Sequence, residues 1–78
     1  MPLAFVLINA EIGAEEAVLK KLSKSSNITE AHIVYGVYDI VAKVQAESLS
    51  KLKEVVTWQI RRIDNVRLTL TMIVTESS

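Results

Sequence analysis

The sequence predicts a single α+β domain whose elements run β-α-β-β-α-β. Three observations carry that reading. At 78 residues the chain has room for one domain, 1–78. Apolar runs rich in β-branched residues stand near both ends, at 3–10 and 66–75. Between them, two segments with apolar residues three or four apart enclose a pair of strand-like runs that meet at Gly36.

Each element has its own signature. Leu3 to Ala10 reads as a strand that is apolar on both faces. Gly13 can cap a helix over Ala14 to Ser25, with Ala14, Ala17 or Val18, and Leu22 as its inner stripe. Glu15 and Glu16 in its first turn and Lys20, Lys21 and Lys24 in its last half suit the helix dipole. Ser25-Ser26-Asn27 is a turn. Thr29 to Tyr35 and Val37 to Gln45 then form strands whose short junction at Gly36 requires an antiparallel hairpin. Ser48 is a good N-cap for a second helix, Leu49 to Ile63, with Leu49, Leu52, Val56, Ile60 and Ile63 on its inner side. Asp64-Asn65 ends it. In the last strand, Val66 to Thr75, the residues Val66, Leu68, Leu70, Met72 and Val74 share one side, and Arg67, Thr69, Thr71 and Thr75 the other.

Right-handed crossovers join these elements into a four-stranded antiparallel sheet with both helices on one face, the ferredoxin-like arrangement. The other sheet face is left bare. Exposing a large apolar residue forgoes roughly 1.5–3 kcal/mol, so an apolar bare face calls for a second copy and the sequence predicts a dimer.

Composition narrows the function. Nine basic and nine acidic residues balance, with no basic run, so direct nucleic-acid binding is not expected. There is no cysteine, which removes thiol catalysis, thiolate metal sites and a copper-chaperone Cys pair. The apolar N-terminus is too short for a membrane span and lacks the layout of a signal peptide, so no membrane association and a cytoplasmic location are expected. The loop Asn9-Ala10-Glu11-Ile12-Gly13 lacks the cation of an acylphosphatase phosphate loop, and the strands lack the basic and aromatic character of an RNA-recognition motif. His32 is the only histidine, without carboxylates at ligand spacing, so no metal, no cofactor and no catalytic residues are expected. Gly36 suits a tight turn or close approach of a ligand, and Asp39 places a carboxylate beside it, either to cap the turn or to meet a ligand. Thr69 and Thr71 are good strand residues that could also hydrogen-bond a small polar ligand. Trp58, off the inner stripe, is either covered by its neighbours or a subunit contact. Arg61-Arg62 reads as a solvated helix end.

The segments Ala4-Phe5-Val6-Leu7-Ile8-Asn9-Ala10-Glu11, Val34-Tyr35-Gly36-Val37-Tyr38-Asp39, Ile60-Arg61-Arg62-Ile63 and Thr69-Leu70-Thr71-Met72-Ile73-Val74, in this order and spacing, make the chain similar to a RAM domain. That domain is the effector-binding, oligomerising module of Lrp/AsnC (feast/famine) transcription regulators, here resembled without the helix-turn-helix. The family often has Pro-Gly where this chain has Ser26-Asn27 and Asp64-Asn65, and an acidic residue where it has Val37. The resemblance implies homodimers packed through their sheets, a higher ring such as an octamer, an amino-acid effector held between dimers, and co-assembly with full-length regulators. It also implies a ligand site from Tyr35, Gly36, Val37, Tyr38, Asp39, Thr69 and Thr71. Gly36 would bind the ligand carboxylate through its backbone or let it approach, Asp39 would pair with the ammonium, and the threonines would add hydrogen bonds. Alternatives are an ACT-like allosteric domain, similar in fold and ligand class, and a small dimeric α+β-barrel enzyme, for which His32 is the sole histidine available.

Overall fold

Alternation along β1 (Leu3–Ala10) sets the layers of the molecule: Ala4, Val6, Ile8 and Ala10 are buried, and the residues between them are half-buried on the opposite face. A computed structural model describes all of residues 1–78. The elements follow as α1 (Glu15–Leu22), β2 (Ile28–Ile33), β3 (Ile40–Gln45), α2 (Leu49–Val55) and β4 (Val66–Ile73). The four strands form one antiparallel sheet in the order β2-β3-β1-β4. This is the expected ferredoxin-like fold. No helix is long and apolar enough to cross a membrane.

The core lies between the helices and one sheet face. Ile40, Ala42 and Val44 of β3 join the buried side of β1, and the helices contribute Val18, Leu22, Leu52 and Val55. All fifteen buried residues are hydrophobic, so hydrophobic burial rather than polar networks holds the two layers together.

The elements depart from the periodicity in four places. First, α1 is shorter than Ala14 to Ser25. Lys24 and Ser25 donate to Lys21 and Leu22 at 3.2 and 3.1 Å, a tightened i→i+3 turn that ends the α-helix at Leu22. Gly13 is not its N-cap: with φ at +87° it closes the turn after β1, where Ala14 N donates to Glu11 O at 2.9 Å. Of the two candidates for the inner stripe, Val18 is buried and Ala17 exposed.

Second, the hairpin does not turn at Gly36 alone. The strands end at Ile33 and restart at Ile40, and Val34 N donates to Asp39 O at 2.8 Å across the open end of a loop spanning 34–39. A loop this wide needs no left-handed residue, and Gly36 does not take positive φ.

Third, α2 stops being an α-helix at Val55 and continues as a π-helical turn over Val56–Ile60, closed by Arg61 N donating to Val56 O at 3.0 Å. Val55, Val56 and Ile60 are all buried along this part of the helix. At the flanks of the expected stripe Leu49 is exposed and Ile63 only partly buried against the core. Ser25 Oγ hydrogen-bonds Gln59 Oε1 and ties this turn to the end of α1.

Fourth, β4 ends at Ile73, and its register shifts between Asn9 and Ala10: Asn9 faces Leu68 but Ala10 faces Val66, leaving Arg67 in a bulge. Val66 therefore packs on the core and does not share a side with Leu68, as unbroken alternation would require.

Ser48 caps α2 as its sequence position suggests, its Oγ accepting from Lys51 N at 3.1 Å. Ser48→Ala is expected to lower stability by about 0.5–2 kcal/mol, a fall in Tm of roughly 4–8 °C per kcal/mol for a domain this size. Urea unfolding checks it: the midpoint should drop with an unchanged m-value, and an unmoved midpoint would show that the cap does not support the helix.

Candidate functional site

The 34–39 loop projects from the sheet beside the C-terminal end of β1. Tyr35, Gly36 and Val37 are fully solvent-facing, whereas Tyr38 and Asp39 are half-buried. A Cβ added at Gly36 would meet nothing within 4 Å, so no part of the same chain approaches it. Asp39 is anchored on both sides of its Cα. Its backbone N donates to Ile8 O at 3.0 Å, and its carboxylate Oδ2 accepts from Ala10 N at 2.9 Å. The side chain thus extends the β1–β3 ladder by one bond and satisfies a strand-end donor. Oδ1 makes no hydrogen bond within the chain. Beside it on β1, the Oδ1 of Asn9 is buried without a partner, a polar atom that the periodicity gave no reason to single out.

Thr69 and Thr71 stand on β4, an edge strand. They lie opposite Ile8 and Val6, so they are on the helix side of the sheet. Each lines a different cleft. Thr71 joins Leu52, Lys53, Val56, Thr57 and Ile73 around a space of about 250 Å³. Thr69 joins Arg61, Val66, Arg67 and Leu68 around one of about 220 Å³. The largest groove, about 520 Å³ between α1 and the edge of β2, contains none of the expected site residues. Strand β1 separates Asp39 from Thr69, a gap of two strand spacings, roughly 9–10 Å. The two clusters expected to share a ligand are therefore not brought together within one chain.

The apolar side of β4 faces away from the helices. Leu68, Leu70 and Met72 are 64, 46 and 46% exposed and lie beside the half-buried Leu7 and Phe5 of β1. On β2 and β3 this open face becomes polar. His32 Nε2 lies 3.2 Å from Glu30 Oε1, and Lys43 Nζ 3.5 Å from Glu30 Oε2. The hydrogen bond from His32, and secondarily the charge of Lys43, hold the Glu30 carboxyl below its ordinary value of 4.5. No cluster of three metal-ligating side chains is present. Trp58 is 59% exposed on the π-helical turn, and the Arg62 guanidinium sits 4.9 Å from its ring centroid, so a neighbour partly covers the ring.

The sequence matches the family described as the Lrp/AsnC ligand binding domain over residues 3–78. It is 33% identical over 73 residues to an HTH-type transcriptional regulator of Pyrococcus furiosus, covering 90% of this chain and 49% of that protein. The chain thus spans about half the length of the curated relatives it matches. Among solved structures, a hypothetical protein of Pyrococcus horikoshii is 35% identical with a TM-score of 0.91, covering 99% of this chain and 93% of that one. E. coli AsnC is 30% identical with a TM-score of 0.91, covering 97% of this chain and 52% of that one.

Because folding lowers the Glu30 pKa, its interactions stabilise the fold above pH 4.5 and are lost as pH falls through the lowered folded-state value. An NMR titration of the Glu30 carboxyl should give a midpoint below 4.5, and His32→Ala should raise it toward 4.5. A midpoint indifferent to His32→Ala would show that the imidazole does not cause the shift.

Proposed function

The chain belongs to the Lrp/AsnC ligand-binding-domain family, and from that we propose that it is a non-enzymatic effector-binding and oligomerising module of transcription regulation. In this reading two copies pack through their open sheet faces, dimers assemble into a ring such as an octamer, and an amino acid or similar small molecule binds between dimers. The same reading includes co-assembly with full-length regulators in the cytoplasm.

The observation that carries the reading is the open face. Leu68, Leu70 and Met72 leave large apolar side chains in water beside Phe5 and Leu7, and each gains roughly 1.5–3 kcal/mol if fully buried. A second sheet packing there removes that surface from water, in the way two sheets form the core of a sandwich. The separation of Asp39 from Thr69 and Thr71 supports the second half of the reading. A ligand touching both clusters needs the loop of one copy beside the β4 edge of another. Asp39 keeps Oδ1 for an ammonium while Oδ2 holds Ala10, and the exposed Tyr35, Gly36 and Val37 allow close approach.

Light scattering at micromolar concentration should find a dimer or larger ring, and a folded monomer would overturn the assembly. In a thermal-shift screen of the twenty amino acids, a ligand at 100 times its Kd should stabilise by about 2.7 kcal/mol. Asp39→Asn keeps an acceptor for Ala10 N but removes the charge, so it should leave the melting temperature nearly unchanged and weaken amino-acid binding about ten- to a hundred-fold. Unaltered affinity in calorimetric titration would remove Asp39 from the site.

A further inference from the structure

The cleft beside Thr69 has a chemistry that neither the loop nor the threonines account for. Arg61 and Arg67 line about 220 Å³ together with Thr69, and no acidic residue does. Val66 and Leu68 complete the wall. Arg61 reaches this place because of the π-helical turn. In an α-helix the fifth residue after Val56 would be rotated by roughly 140° from it. The i→i+5 bond from Arg61 N to Val56 O brings Arg61 back over Val56, the side that packs on the sheet. Arg67 reaches it because the β4 bulge takes that residue out of the ladder.

Only one of the two charges has an acidic partner within the chain. Arg61 makes no ion pair. Arg67 has one, Nε to Glu11 Oε1 at 3.6 Å, between side chains that are 60 and 56% exposed. Such a solvated contact is weak, and it leaves the terminal guanidinium nitrogens free. Arg62, next in the chain, is turned to the Trp58 ring.

We propose that this cleft is a carboxylate-binding site for a small organic acid, held between Arg61 and Arg67 with the Thr69 hydroxyl as a further donor. A guanidinium fork matches two carboxylate oxygens, and a neighbouring hydroxyl donates a third bond. The volume lies below the roughly 300 Å³ at which drug-sized sites begin, which suits a molecule of amino-acid size. Val66, on the core side with Thr69, offers a short aliphatic group its contact. The site stands on one chain alone. Its extension to an amino acid rests on the reading given above: the carboxylate would sit here, and the ammonium would meet Asp39 of a neighbouring copy. Gly36 would then serve to let the ligand approach, not to bind its carboxylate.

Heteronuclear NMR on the full chain tests this, following the Arg61 and Arg67 side-chain Nε–H signals and the Thr69 amide. The probes are isovalerate, L-leucine, L-leucinamide and inorganic phosphate. Isovalerate and leucine should shift all three signals saturably, and leucinamide, which lacks the carboxylate, should not. Arg61→Gln and Arg67→Gln should each weaken isovalerate about ten- to a hundred-fold with an unchanged circular dichroism spectrum. Absence of a saturable shift, identical binding by Arg61→Gln, or leucinamide binding as well as leucine would overturn the proposal, as would phosphate binding more tightly than either carboxylate. If isovalerate and leucine bind equally well and Asp39→Asn changes neither, the carboxylate site stands and the amino-acid reading falls.

Discussion

Everything in this domain is arranged around a central strand that is apolar on both faces. β1 lies between β3 and β4, and its two sides have different fates. The side with Ala4, Val6, Ile8 and Ala10 is sealed by the helices, while Leu3, Phe5 and Leu7 are only half-covered. A two-layer domain has helices for one sheet face only. A chain of this size also buries a modest fraction of its surface, so apolar side chains on the bare face are a substantial part of its possible stabilisation. Placing the apolar side of β4 on that same bare face, with the threonines toward the helices, enlarges the apolar surface left uncovered there.

The edge strand β4 is where this constraint meets the clefts. Had its larger apolar residues faced the helices, they would have extended the core to the sheet edge. With Thr69 and Thr71 there instead, the core does not close over the sheet edge, and clefts remain on either side of the π-helical turn. The bulge at Arg67 is part of the same arrangement, for it turns Val66 inward to finish the core and releases the next side chain to the rim. Packing irregularities thus coincide with the polar groups available for recognition.

The order of elements, the start of β1 and the Ser48 cap were legible because each depends on local periodicity or on one side chain bonding a nearby backbone group. Registers and turns were not, because they depend on distant partners. The pairing of Ala10 with Val66 depends on the β1–β4 register, and the change to π-helical bonding after Val55 leaves no mark in the apolar spacing, which fits an α-helix throughout. From the primary structure alone Arg61-Arg62 is a solvated helix end, and Arg67 one position in an alternating strand. Only the π-turn and the bulge bring Arg61 and Arg67 to one cleft. A signal was present in the run of β-branched residues Val55-Val56-Thr57, but it has no fixed translation into a π-helix.

Asp39 combines a structural bond and an open acceptor in one carboxylate. One oxygen completes the β1 ladder, which fixes the side chain against the sheet, and the other makes no bond in the chain. A ligand contact from such a group loses less side-chain entropy than one from a freely rotating aspartate, because folding has already ordered it. The same bond also limits where Asp39 can act. Held at the β1 end and two strands from Thr69, it cannot swing across the sheet to the β4 edge of its own chain. In the proposed assembly, a ligand of amino-acid size that requires both would be contacted by two copies, and its binding would be linked to assembly: the ligand would favour the ring by the same free energy with which the ring favours the site.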